Sequence, residues 1–350
     1  MSSPPSTDVF VDPDIAVAHT LPGAFYSDAE AFARMRERVF ARSWQWLGTV
    51  HDVAAPESLA PRDLLPGFLD EPLLLARDAS GELRCMSNVC THRGNILVGA
   101  ACRAKQIRCG YHSRRFDLAG RMTFMPEFKD ARGFPSPADN LPQVAFGEWA
   151  GQAFASLDPA APLDDFLAEV RASLEGDPVG SLTHDPSRDR EFAVHAHWAL
   201  YVENYLEGFH IPFVHAALNE VVDYGTYASE LHRYANLQLA HDREGNIAAR
   251  YWWVFPNLML NFYPWGLSLN LVQPQAIDRT RVLFRSFVWD ESKLERGAGA
   301  GLDRVESEDE AVVEAVARGV RSRLYGRGRY SPARERGVHH FHRLLCEFLQ

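Results

Sequence analysis

Two short stretches constrain this chain more than anything else in it: Cys90-Thr91-His92-Arg93-Gly94 and Cys109-Gly110-Tyr111-His112. The skeleton is C-x-H, sixteen intervening residues, then C-x-x-H. Each stretch offers one thiolate and one imidazole, so the fold must bring two loops together around an inorganic group. Two cysteines and two histidines arranged so suit a [2Fe–2S] centre, with thiolates on one iron and imidazoles on the other. Neutral imidazoles in place of two thiolates remove negative charge and raise the potential. A structural zinc site is the rival. Zinc knuckles, however, prefer C-x2–4-C pairs and keep their histidines together.

Composition excludes several classes. There are 36 basic residues against 46 acidic ones, a net charge of −10, which argues against nucleic-acid binding. No apolar run approaches the ~18 residues of a membrane span. The start, MSSPPSTDVFVDPD, lacks the order of a secretory signal, so a cytoplasmic location is expected. The other cysteines, Cys85, Cys102 and Cys346, are too few for a disulfide framework and are expected to be small buried hydrophobes.

Along the chain, Phe32, Met35, Val39, Phe40 and Trp44 recur at helical steps within Asp28 to Trp46. From Leu47 to Phe154, short apolar runs such as EPLLLARD alternate with Gly, Pro and Asn, which reads as an all-β unit. Beyond a Pro/Asp-rich join come a short helix (DFLAEVRASLEG), several strands, a helix expected from Ser307 to about Leu324, and a last helix from Pro332. The sum is a β-domain followed by an α+β domain.

The second domain holds Glu203-Asn204-Tyr205-Leu206-Glu207-Gly208-Phe209-His210-Ile211-Pro212-Phe213-Val214-His215. Histidines five apart lie about 140° apart on an ideal helix, so a regular helix cannot aim both at one metal. Gly208 and Pro212 stand where it could bend or unwind. Two histidines plus one carboxylate would leave open positions on an iron. An unrelated histidine pair on a half-buried helix is the bland alternative.

CTHRGN and CGYH resemble the Rieske cluster loops of ring-hydroxylating oxygenases, and the histidine segment resembles that family's N-x-x-[D/E]-x-x-H-x-x-x-x-H pattern. One departure is Ser113-Arg114-Arg115-Phe116, where many relatives show Gly-Trp. The resemblance covers nearly the whole chain. It implies an α+β protein: an N-terminal arm (1–46) packing on the catalytic domain, a Rieske domain (47–160), and a helix-grip, START-like catalytic domain (161–350). It also implies one [2Fe–2S] cluster per chain on Cys90, His92, Cys109 and His112. One Fe(II) per chain would sit on His210, His215 and a downstream aspartate. The matching place is Val305 to Glu310; the role is carried to Asp309, with Glu306, Glu308 and Glu310 as rivals. Asn204 and Glu207 inherit catalytic roles, Glu207 as a bridge between His210 and His112 of a neighbouring copy in a head-to-tail homotrimer.

The activity implied is oxygenation of a small organic substrate by O₂, with electrons from a separate NAD(P)H-dependent reductase, sometimes through a ferredoxin. No flavin or dinucleotide fingerprint occurs in the chain. ENYLEGFHIPFVH, with Glu at the bridging place, resembles oxygenases of quaternary ammonium compounds, which favours monooxygenation. Ring dioxygenation is the runner-up, and an electron carrier or zinc module the rival from another class. A cationic substrate would want aromatic faces, for which Trp253, Phe255 and Tyr263 are candidates. Two further features stand out. His195 and His197 alternate as if along one strand face. Arg93, Arg103, Lys105, Arg108, Arg114 and Arg115 form a basic collar with no acidic residue among them, suited to steering an acidic electron donor.

Overall fold

The computed structural model describes residues 9–350 and divides into two compact units. Trp44–Ala160 form one, and Ala161–Gln350 join residues 9–43 in the other.

The first unit is built of antiparallel sheets. Gln45–Thr49 pairs with Gln152–Ser156, which pairs with Ala145–Trp149. A second sheet runs in the order Leu83–Ser87, Glu71–Arg77, Ser58–Leu64, Cys102–Arg103. Ile107–Arg108, Arg115–Phe116 and Met122–Phe124 make a third. The apolar run Leu73-Leu74-Leu75-Ala76 is fully buried because both faces of its strand are covered. Leu73 and Leu75 pack with Leu47, Val53 and Ala60. Leu74 and Ala76 turn the other way, into a cluster that contains Cys90 and Cys109. Each such leucine contributes roughly 2 kcal/mol through burial, so the two Cys/His loops rest on one face of a well-anchored strand. Cys102, by contrast, is exposed, because its two-residue strand lies at the sheet edge beside Ser58 and Leu59.

The second unit centres on an antiparallel sheet of eight strands, a mixed α+β architecture. Its long hairpin, Gly266–Ala276 with Arg279–Val288, continues through Leu258–Tyr263, Ile247–Val254, Ala235–His241 and Ala228–Leu231. Helix Trp198–Tyr205 packs on strand Gly266–Ala276 and on helix Leu302–Gly319. The N-terminal helix starts at Ala29, where the Asp28 carboxylate accepts from the N–H groups of Glu30 and Ala31. It ends near Phe40 in a widened turn, with Ala41 N–H bonded to the Arg36 carbonyl. It does not run on to Trp46, because Gln45 onward is claimed by pairing with Gln152–Ser156.

The long helix begins at Leu302, earlier than the expected Ser307, and stops at Gly319. Gly301 adopts φ +62° just before it, a conformation glycine takes without strain. The closing helix is Arg336–Leu349. Among the described residues no helix is long and apolar enough to cross a membrane.

Candidate metal centres and cavity

The two Cys/His loops adopt the same turn. Cys90 N–H bonds to the Asn95 carbonyl at 2.8 Å, and Gly94 N–H to the Cys90 carbonyl at 3.0 Å. In the second loop Cys109 N–H bonds to the Arg114 carbonyl at 2.8 Å, and Ser113 N–H to the Cys109 carbonyl at 3.1 Å. Gly94 and Ser113 occupy the same place with φ +69° and +59°. The loops are also tied to a third segment. Thr91 Oγ donates to the Asp139 carbonyl at 2.7 Å, and the buried Arg114 guanidinium meets the Asp139 carboxylate at 2.5 Å. Asp139 therefore clasps both loops. Burial alone would raise its carboxyl, but bonds from Ser136 and Arg114 hold it below the usual range.

Between the loops the Cys90 and Cys109 thiols touch each other, while the His92 and His112 rings stand 4.8 Å apart, edge to face. Burial works to raise the Cys109 thiol, yet the N–H groups of Tyr111 and His112 outweigh it and favour the thiolate. His112 Nδ1 is buried with no hydrogen-bond partner, as suits an atom that faces a bound group. Thiols paired on one side and imidazoles on the other fit a two-iron group.

The helix carrying the second motif is broken, as its spacing requires. It stops at Tyr205, passes through an irregular segment, resumes for one turn at Ile211–Val214 with Pro212 in its first turn, and restarts at Ala216. Gly208 sits in the gap, where a Cβ would come within 2.5 Å of the Tyr227 ring. The break lets both histidines turn inward. His210 Nε2 and His215 Nε2 are 3.1 Å apart, and Asp309 Oδ1 lies 3.4 and 3.0 Å from them. Among the described residues these three are the one set of His, Cys, Asp or Glu whose donor atoms all fall within 4.8 Å of one another.

Each imidazole is fixed from behind by a carboxylate, an arrangement typical of metal-ligating histidines. His210 Nδ1 meets Glu207 Oε1 at 2.6 Å, and Glu207 Oε2 also accepts from the His210 backbone N–H at 3.0 Å. His215 Nδ1 meets Glu308 Oε2 at 2.7 Å. Burial works to lower His215, but Asp309 and Glu308 prevail and raise it, so the centre attracts positive charge. These residues fit a divalent cation.

Against this trio opens a cavity of about 110 Å³. Asn204 and Glu207 line it, together with Tyr201, Tyr205, Tyr227, Tyr251 and Tyr263. Burial pushes all five tyrosine hydroxyls up, so they stand as neutral polar groups. Gln238, Asn261 and Asn270 supply further polarity from the sheet, and none of the lining residues is lysine or arginine.

Of the expected aromatics only Tyr263 lines the cavity. Trp253 and Phe255 are buried, Trp253 against Phe341 of the closing helix. Nor do His195 and His197 form a pair. The strand ends at Val194; His197 is buried and caps helix Trp198–Tyr205 through Nδ1, while His195 is exposed. Of the basic collar, Arg93, Arg103, Lys105 and Arg108 are exposed, but Arg114 is buried and Arg115 covers the Phe124 ring. Glu308, weighed in the sequence only as a rival ligand, holds a histidine instead. The four added tyrosines were missed too, although polar residues inside apolar strands (Gln238, Asn261, Asn270) marked where the sheet faces a cavity.

Residues 43–135 match the Rieske [2Fe-2S] domain, and residues 223–350 match the ring hydroxylating alpha subunit (catalytic domain). Chloroplastic choline monooxygenase of Arabidopsis thaliana is 29% identical over 95% of this chain and 84% of its own length. The carnitine monooxygenase oxygenase subunit of Escherichia coli (strain K12) is 29% identical over 94% of each chain. Among solved structures, the quaternary ammonium Rieske monooxygenase CntA in complex with L-carnitine superposes with a TM-score of 0.77 at 24% identity, covering 99% of this chain and 97% of the other. Naphthalene 1,2-dioxygenase with indole bound gives 0.72 at 18% identity over 95% and 92%. These last two likenesses show the fold.

Proposed function

Given that this chain belongs to the Rieske non-haem iron oxygenase alpha subunits, we propose that it monooxygenates a small quaternary ammonium compound. The observation that carries the substrate class is the cavity beside His210, His215 and Asp309, with its five tyrosines and no cationic lining residue. Aromatic faces attract an alkylammonium by about 0.5–2 kcal/mol each. Two of the relatives are by name choline and carnitine monooxygenases. The absence of lysine and arginine from the lining favours a cation with an uncharged tail, as in choline, over a zwitterion whose carboxylate needs a partner.

In this reading Cys90, His92, Cys109 and His112 hold the [2Fe–2S] cluster, and His210, His215 and Asp309 hold the Fe(II). When bound, these groups supply electrons drawn from a separate NAD(P)H-dependent reductase and the activation of O₂. The chain's own residues set the stage. Glu207 and Glu308 fix the two imidazoles with Nε2 inward. Asn204 offers a hydrogen bond to a substrate's polar end, and the apolar wall of Ile211, Leu218 and Leu302 excludes water. A head-to-tail homotrimer, in which Glu207 also accepts from His112 of a neighbouring copy, is part of the proposal. The carboxylate already bonded to His210 Nδ1 supports it.

Incubation with a matched reductase, ¹⁸O₂, and either choline, a carnitine-type zwitterion or a planar aromatic tests the reading. One labelled oxygen in a product of the cation is expected. A doubly labelled cis-diol from the aromatic alone would overturn it in favour of dioxygenation.

A further inference from the structure

Glu306 takes no part in the arrangements described so far. It lies on helix Leu302–Gly319, one turn before Asp309, and is only 4% exposed. Its Oε2 accepts from the Tyr201 hydroxyl at 2.6 Å. Its other oxygen, Oε1, is buried and has no hydrogen-bond partner. Buried carboxyl oxygens are rarely left so, because an unmet acceptor forfeits its hydration without replacement. Glu306 is part of the cavity wall, among the same tyrosines that line the space beside His210 and His215.

We infer that Glu306 is the anionic contact for the positively charged head of the substrate, and that it sets the preference for a cation over a neutral molecule of the same shape. The inference rests on the quaternary ammonium reading and deepens it. The tyrosines alone would attract an alkylammonium through their faces, but they would also take an apolar group of equal size. A carboxylate distinguishes the two by charge. Burial pushes the Glu306 carboxyl up to about 8, with Asp309 and Glu310 adding to the effect. An ionised carboxylate there is costly while the cavity holds no cation, and a trimethylammonium group beside Oε1 would offset that cost. The bland alternative is a neutral acid that serves only to hold Tyr201; that role uses one oxygen and leaves the other unexplained.

The test uses the cluster- and iron-loaded protein under anaerobic conditions, with calorimetric binding of choline and of 3,3-dimethyl-1-butanol, its neutral isostere. Wild-type protein is expected to prefer choline. Glu306→Gln keeps the size and an oxygen for Tyr201; it should weaken choline by about tenfold or more and change the isostere by no more than about twofold. Glu306→Asp, which keeps the charge, should restore part of the preference. Should the amide fail to fold, Glu306→Met offers an apolar side chain of similar length with the same readout. If wild-type protein binds both molecules alike, or neither, the quaternary ammonium reading falls and the inference with it. If wild-type protein prefers choline and the Gln or Met variant keeps that preference in full, the reading stands and the inference is overturned.

Discussion

The two Cys/His loops and the trio of His210, His215 and Asp309 are held in place by opposite means. Each cluster loop is closed by backbone: the cysteine N–H reaches a carbonyl five residues on, and the same turn occurs twice. Among the described residues the ionic element here is the Asp139 clasp on Arg114. Around His210 and His215 the bracing comes from carboxylate side chains, Glu207 and Glu308. Charge follows the same division. Exposed cations lie in and between the two loops of the first site, whereas the cavity of the second site sets acids and neutral polar groups among apolar residues and holds no lysine or arginine. Backbone bonds do not titrate and survive most substitutions; a carboxylate bond disappears with one. The first site is built to persist, the second to be tuned.

The strongest challenge to this contrast is Asp309→Ala. It should abolish turnover and remove the mononuclear iron, while the visible absorption and EPR signal of the cluster stay unchanged. Bleaching of both centres together would show that they are not held independently. Next in size is Asp139→Asn, which leaves the buried Arg114 guanidinium without its counter-charge. The loss should be about 3 kcal/mol of stability in the cluster unit, read as a lowered unfolding midpoint and faster release of cluster iron. A carboxyl held low in the folded state stabilises fully above its ordinary range, and that share is lost as pH falls through the lowered value. Stability of the Asn variant should lack this acid-side component.

Glu207→Gln comes third. It keeps the size of the side chain but not the charge behind His210, and a 10–100-fold fall in iron affinity or turnover is typical for such a partner, about 1.4–2.7 kcal/mol. Cluster reduction should be unaffected; if single-turnover product and cluster reoxidation are also at wild-type rates, Glu207 has no bridging role. The smallest effect is expected of Arg103→Glu with Lys105→Glu, both on the exposed part of the collar. Reduction by an acidic donor should slow a few-fold at low salt, and the difference should shrink as ionic strength rises. Equal rates at all salt concentrations would leave the collar a solvated loop face.

Where residues of a site are close in sequence, the sequence was explicit about them. The Cys/His pairs of the two loops and the pair His210 and His215 stand at fixed local spacings, and the angle of about 140° already pointed to a bend or unwinding near Gly208 or Pro212. Asp309 was harder. Glu306, Glu308 and Asp309 lie within four positions, and which of them meets the histidines depends on the phase of a helix whose start was misplaced. With the start at Leu302, the inward face is Leu302, Val305, Glu306, Asp309 and Val313, at ordinary helical steps. Two acids on that face blur the apolar period, so the pattern reads as a surface helix. The aromatic strand misled for another reason. Tyr251 and Trp253 share a face of the sheet, but the closing helix covers Trp253 and leaves Tyr251 open to the cavity. Period-two alternation assigns a side and cannot say what lies over it.

Helix Leu302–Gly319 carries three acids with three separate tasks: Asp309 at the histidine nitrogens, Glu308 behind His215, and Glu306 in the cavity wall. Because all three ride on one rigid element, they cannot be adjusted one at a time by moving backbone. A single residue inserted between Gly301 and Glu306 would rotate the three together by about 100° and advance them by about 1.5 Å. Point substitution can therefore change the cavity while leaving the metal-facing carboxylate in place, but a shift in length cannot. Among descendants of this chain, variation at the inner cavity wall should accumulate as replacements, with insertions and deletions displaced to the loop before Gly301.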